Sequence, residues 1–310
     1  MSNPKVSVLI LAYNQEKYIR ETLQGAVMQE TDFLYDIYVH DDASTDSTPE
    51  IIKEFQVRYP HLIKPYLQKD NQFSKGVKPL TTFIYPLLKC DYVAFCEGDD
   101  YWIDPQKLSK QVAVLDANRN YSFCGHDVKM KYEEGMEVKK NFYIKPQEGS
   151  FRFNFLDEFL NHFVATPTIL VRLEHLLSLP KNDNLVSGDL YSLLYFLSRD
   201  DGYYLADKMV VKCRNLGGIT MNAKYINTVK RGTYLLWKEV QKFTPRQYKA
   251  LVTITLAEYQ RLLIKNRALA KDIALRELFF GAIINDPYWF LGRSRIHKEK
   301  ILKEIKKASR

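Results

Sequence analysis

The run VSVLILA, Val6–Ala12, sets the tightest limit on what this chain can fold into. It is apolar apart from Ser7 and does not alternate. A strand of that kind is buried on both faces, and such strands belong to parallel sheets covered by helices. A helical pattern follows, with Ile19, Leu23, Ala26 and Val27 on one face, and Asn14 stands where it can cap that helix. Strand then helix over so short a span is a parallel α/β unit.

The unit recurs. DIYVH (36–40) reads as a second strand, followed by the turn DDASTDST. Residues 47–50, Ser-Thr-Pro-Glu, form a capping-box signature with proline in the first turn, and Ile51, Ile52 and Phe55 face inward. LIKPYL reads as a weaker third strand, PLTTFIYPLLK as a short helix and DYVAFC as a fourth strand. Asp104 and Pro105 begin another helix, with Leu108, Val112 and Leu115 inward. Residues 1–118 are therefore expected to form a doubly wound, mostly parallel α/β half. In residues 119–226, YSFCGHDV and TPTILVRL read as strands, RFNFLDEFLNHF and GDLYSLLYFLSR as helices, and GYYLADKMVVKCR as a hairpin or edge strand. Residues 227–310 read as a helical extension.

Charge divides along the same line. From position 223 to the end there are 20 Lys and Arg against 7 Asp and Glu, a net +13; the preceding residues carry −5, and the whole chain +8. A basic tail behind a mildly acidic body implies an anionic partner for the tail. The four cysteines form no C-x-x-C pair and read as reduced, packed thiols. The first residues lack a cleavage site, and no stretch reaches the ~18 apolar residues of a membrane span. A cytoplasmic place is expected.

Three polar clusters fall at the predicted carboxyl ends of strands: Tyr13 and Asn14, Asp41 and Asp42, and Glu97, Asp99 and Asp100. Ligands of open α/β sheets bind at that edge. Oxygen ligands such as Asp99 and Asp100 suit Mg2+ or Mn2+, and Gly98 just before them lets the backbone approach a ligand; the alternative is that one acid caps a turn. An acid after the second strand can accept a hydrogen bond from a base or ribose, or can be a solvated turn residue. No dinucleotide, P-loop, G-x-S-x-G or H-E-x-x-H motif occurs. His40 and His126 at strand ends read as structural.

Taken in order, these segments resemble the GT-A glycosyltransferases of family 2 over roughly residues 4–220. VSVLILAYNQEKYIRETLQGAVMQE is similar to the family's opening strand and helix, and DIYVHDDASTDSTPEII to its DDGSTD turn, with Ala43 in place of the usual glycine. YVAFCEGDDYWIDPQKLSKQV looks like its D-x-D segment, in the EGDDYW form of bacterial cell-surface sugar enzymes. The resemblance implies a GT-A fold and an inverting transfer from a nucleoside diphosphate sugar, often UDP-linked, to a glycan or lipid-linked acceptor. By the same resemblance Ala12, Tyr13 and Asn14 border the nucleotide, Asp42 reads the base, Lys75 approaches the diphosphate or base, and Glu97 contacts the ribose or metal shell. Asp99 is implied as ligand of Mn2+ or Mg2+ with Asp100 second, and Asp189 as the base that takes the acceptor proton. Many relatives carry a histidine that joins the metal shell; Leu216 stands there, leaving Asn215, another side chain or water to fill in. The processive-synthase motif QxxRW is absent, so one sugar per encounter is expected. The cationic, amphipathic end of the chain points to an anionic membrane surface on the cytoplasmic side, and a second copy is a further possible partner. Nucleic acid is not expected beside an acidic cleft. The rival readings are a sugar nucleotidyltransferase and a non-catalytic nucleotide-sugar binder.

Overall fold

The computed structural model describes residues 3–134, 143–181, 185, 188–215, 223–266, 268 and 273–308; for 223–230, 290 and 308 only the backbone is described. The chain divides into two compact units, residues 1–183 with 199–216, and residues 184–198 with 217–310.

The first unit opens with β1 (Val6–Ala12), α1 (Ile19–Val27), β2 (Tyr35–Asp41), α2 (Thr48–Arg58) and β3 (Ile63–Leu67). A π-turn and a 3-10 turn over 80–87 lead to β4 (Tyr92–Glu97), β5 (Tyr101–Trp102) and α3 (Lys107–Ala117). Then come β6 (Tyr121–Tyr132), β7 (Phe151–Phe153), α4 (Phe155–Asn161), β8 (Leu170–Arg172) and α5 (Leu173–Leu177). After α6 (Gly188–Leu197), which belongs to the second unit, β9 (Asp201–Arg214) completes the sheet.

The sheet has nine strands in the order β3-β2-β1-β4-β8-β6-β9-β5, with β7 also on β9. β1 pairs in parallel with β2 and β4, β2 with β3, and β6 with β9. β5, β7 and β8 run against their neighbours. This is the expected doubly wound, mostly parallel sheet. The chain expected to form a hairpin or edge strand is instead β9, an interior strand: Tyr204, Met209 and Val210 are buried on it, so it needs neighbours on both sides.

β4 and β5 are separated by three residues in sequence but by four steps in the sheet. Four peptide steps reach at most ~15 Å, whereas four strand spacings laid flat span ~19 Å. The sheet therefore curls, and β5 and β9 return toward the end of β4. Helix α1 seals the curl. Its Ile19, Leu23 and Ala26 are buried at helical spacing, and Gly25 lies against β5 so closely that a Cβ there would sit 2.6 Å from the Trp102 carbonyl oxygen.

The second unit is helical: α6, α7 (Ala223–Phe243), α8 (Lys249–Lys265), α9 (Leu275–Asn285) and α10 (Ser294–Ala308). Tyr191 and Tyr195 of α6 pack edge-on against Phe243 of α7. Tyr234 of α7 donates to Glu277 of α9 at 2.9 Å. Among the described residues no helix is long and apolar enough to cross a membrane.

Candidate functional site

The parallel register puts the ends of the first strands side by side: Ala12 opposite Asp41, Leu11 opposite Glu97, and Asp41 opposite Leu67. Everything that follows those residues shares one edge of the first unit.

The loops after β1 and β2 are joined by a ladder of short polar contacts. The Asn14 N–H donates to Ser44 Oγ at 2.8 Å, and Asn14 Oδ1 accepts the Thr45 N–H at 2.8 Å. The Gln15 N–H donates to Thr48 Oγ1, and Glu16 and Asp46 each accept from the other's loop. Asn14 thus does not cap α1 as expected; it sits at φ 53° with its side chain spent on the neighbouring loop, and Tyr18 precedes the helix. Nor does the Ser47 capping box form. The Thr48 N–H is taken by Asp46 Oδ1 instead, which satisfies an otherwise orphan helix donor. Ala12 is buried, and Tyr13 beside it is 46% exposed.

Asp41 and Asp42 face different tasks. Asp41 accepts from the Ser44 N–H at 3.0 Å and from its hydroxyl, fixing the turn. Ala43, in the usual glycine position, is held at φ 62°. Asp42 is 3% exposed, and its two oxygens accept the N–H groups of Gln72 and Phe73 at 2.9 Å each. It therefore anchors the loop that carries Lys75. Lys75 is exposed and pairs with Asp70 on its own loop at 3.3 Å. A cavity of about 390 Å³ opens here, lined by Tyr66, Gln68, Asp70 and Gln72 among others.

The acidic turn after β4 is pinned on three sides. The Gly98 N–H donates to the Leu11 carbonyl at 2.9 Å, and its own carbonyl accepts the Thr22 hydroxyl of α1 at 3.0 Å. Asp100 is 0% exposed. One of its oxygens accepts the Cys213 N–H at 2.7 Å and the other the Lys212 ammonium at 2.9 Å. Asp100, expected as the second metal ligand, has both oxygens engaged in joining the turn to β9, and a carboxylate sealed from water needs such partners. Lys212 also lies 3.6 Å from Glu97. Burial works against its ammonium, but Glu97 and Asp100 more than offset that and hold it well above the usual lysine range.

Asp99 is only partly buried. Burial pushes its carboxyl above the ordinary value, and the Asp100 charge adds to the push, while Lys212 and Asn215 pull the other way. Asn215, the residue after β9, donates its side-chain amide to Asp99 Oδ2 at 2.8 Å. Asp99 thus offers a hard oxygen ligand at a strand end, with a cation and an amide behind it. Among the described residues no three His, Cys, Asp or Glu side chains gather to hold a metal. The donor set fits a cation of the Mg2+ kind, which takes one or two carboxylates and completes its shell with phosphate and water.

Asp189 belongs to the second unit, exposed in the first turn of α6. Leu216 lies outside the described residues. The sequence did not single out Lys212; its one signal was a lone lysine in the apolar stretch MVVKC. His40 and His126 are fully buried and, mainly through that burial, shifted below the usual histidine range, as structural residues are.

A model of glycosyl transferase family 2 matches residues 7–177. An uncharacterised protein of Mycobacterium tuberculosis is 45% identical over 130 residues, 42% of this chain and 37% of that protein; the match thus spans little more than a third of that relative's length. The putative teichuronic acid biosynthesis glycosyltransferase TuaG of Bacillus subtilis is 22% identical over 265 residues, 85% of this chain and 98% of that one. Two solved structures share the fold. One is S. aureus TarS 1-349 in complex with UDP-GlcNAc, with a TM-score of 0.63 and 19% identity over 98% of this chain and 91% of that one. The other is the Pyrobaculum calidifontis mannosyltransferase PcManGT in complex with GDP-Man and Mn2+, with a TM-score of 0.57 and 13% identity over 96% and 88%. The fold is the GT-A arrangement with helices after it.

Proposed function

Since the chain belongs to glycosyl transferase family 2, we propose that it moves one sugar from a nucleoside diphosphate sugar, UDP-linked, to a hydroxyl of a glycan or lipid-linked acceptor in bacterial surface polysaccharide synthesis. The observation that carries this reading is the partly buried Asp99, set by Asn215 and the Asp100–Lys212 pair at the edge where the loops after β1 and β2 meet.

In this reading Tyr13 and Asn14 border the nucleotide, and Asp42 acts on the base end through the loop it anchors at Gln72 and Phe73. Glu97 faces the ribose side of the turn. Asp99 holds Mn2+ or Mg2+, which when bound neutralises the leaving diphosphate. Asn215 orients the Asp99 carboxylate from behind. Asp189 takes the proton of the acceptor hydroxyl as it attacks from the face opposite the diphosphate, so the anomeric centre inverts. The name of the Bacillus subtilis relative TuaG, a putative teichuronic acid biosynthesis glycosyltransferase, supports a surface glycan as the product class.

The test is a panel of sugar nucleotides with Mn2+, with and without a chelator, followed for nucleoside diphosphate and for sugar on lipid-linked acceptors. Metal-dependent release together with transfer is expected. Pyrophosphate formed from a nucleoside triphosphate and a sugar phosphate, or tight donor binding with no turnover on any acceptor, overturns the reading.

A further inference from the structure

Sixteen large hydrophobic side chains are exposed among the described residues, and seven of them fall between positions 275 and 296. They are not scattered by chance of sequence. On α9 the stripe that carries Leu278 and Ala282 is buried. Phe280 and Ile284, one turn apart on another face, are 61% and 76% exposed. The turn after α9 adds Leu291 at 64%.

Helix α10 has the same division. Its inner stripe holds Ile305, which is buried, and Lys298, whose ammonium reaches Glu258 of α8 at 2.7 Å. Its outer stripe is read from helical spacing: Ile296, Lys300, Lys303 and Lys307 lie within one narrow arc. Ile296 is 65% exposed, and the three lysines are exposed too. Arg293, exposed just before the helix, continues the line. No acid stands on that arc. The corner between the helices is fixed rather than loose. Asp286 is fully buried against Arg261 at 2.9 Å, and Tyr288 packs on His297 with ring centres 4.2 Å apart.

We propose that the outer surface of α9 and α10 is a docking face for an anionic lipid bilayer, with Lys300, Lys303 and Lys307 on the headgroups and Phe280, Ile284, Leu291 and Ile296 in the interface. A bilayer surface is the partner that accepts both kinds of exposed side chain. Anionic headgroups answer an all-cationic ridge, and the boundary with the acyl chains takes isolated large apolar side chains without requiring a shaped pocket. The inference does not depend on the donor chemistry of the first unit.

The experiment is flotation of the full chain with vesicles of phosphatidylcholine, with and without phosphatidylglycerol, at low and high salt. Binding to the anionic vesicles is expected, weakened at high salt. Replacing the three lysines together (K300Q, K303Q and K307Q) should weaken that binding by about a hundredfold, from roughly fivefold per charge. The pair F280S and I284S should weaken it separately, with the thermal midpoint of each variant kept. Three results overturn the proposal: no binding to anionic vesicles, binding that both sets of changes leave intact, or a dimer that the F280S and I284S pair dissolves and that excludes lipid. The last would assign the face to a second copy of the chain.

Discussion

The Asp100 carboxylate, sealed from solvent, receives the Lys212 ammonium at 2.9 Å and ties the turn after β4 to β9. Removing one partner leaves an unpaired buried charge, which typically costs ~3–5 kcal/mol. Asp100→Asn and Lys212→Met should each lower stability on that scale. The double variant should recover part of the loss, since neither charge is then stranded. Urea denaturation of the two singles and the double closes the cycle. Additive losses would mean that the pair does not act as a unit.

Asp99 and Asn215 separate a ligand from its support. Asp99→Asn removes the carboxylate proposed for the metal, so Mn2+-dependent donor binding should fall by at least ~100-fold (~2.7 kcal/mol at RT ln 10 per decade). Asn215→Ala leaves the carboxylate and loses only the amide at 2.8 Å, a change of the order of 10-fold. Titration calorimetry with a sugar nucleotide, with and without Mn2+, reads both. Equal losses in the two variants, or none in Asp99→Asn, would remove Asp99 as the ligand.

Asp189 stands in the first turn of α6, exposed. In the proposed role of acceptor base it should matter to transfer and not to donor affinity. Asp189→Asn should lower the transfer rate by roughly 10²–10⁴-fold while the donor dissociation constant stays within about twofold. If Asp189 only favours the helix N-terminus, the same change would lower stability by ~0.3–1 kcal/mol and leave transfer intact.

Ala43 is held at φ 62° between Asp42 and Ser44. A Cβ in the left-handed region costs ~1–2 kcal/mol, against the ~0.5–1 kcal/mol of extra entropy that glycine loses on folding. Ala43→Gly should therefore stabilise the chain by ~0.5–1 kcal/mol, read as a higher midpoint in thermal unfolding. A lower midpoint would show that the turn does not strain alanine.

How much of this was legible follows from what kind of signal each part leaves. β1 and β4 are buried on both faces, so their apolar runs announced them, and the polar residues after β1, β2 and β4 share one edge as the parallel pattern implies. GYYLADKMVVKCR reads as a hairpin or edge strand, with charges mixed into its apolar pattern. Those charges are explained only by partners far along the chain: Lys212 lies on Asp100, 112 residues away. The same distance hid the role of Asp100, whose neighbours in sequence look like a shared metal cluster. Asn14 and Ser47 failed as caps for a related reason. Local propensity offered each of them a helix end, but the loop across the edge offered better partners.

Glu158 sets a pH dependence that has nothing to do with the proposed chemistry. It is fully buried on α4, and its Oε2 accepts the N–H groups of Phe163 and Val164 at the long distances of 3.3 and 3.4 Å. Burial pushes its carboxyl from 4.5 up to about 8; the two amides oppose this, and the charge of Asp157 adds to it. Between those values the folded chain keeps a proton that the unfolded chain has released. Stability contributed by this group is thus complete below the unfolded value and falls as pH rises, by up to ~1.4 kcal/mol per unit, until it is gone above about 8. Glu158→Gln keeps the shape and removes the titration. Its stability relative to the parent chain should grow in its favour from pH 5 to pH 8, reaching a few kcal/mol on the scale of about 1.4 kcal/mol per unit. Urea midpoints of the two chains across that range decide it: parallel profiles would mean that Glu158 is ionised in the folded state.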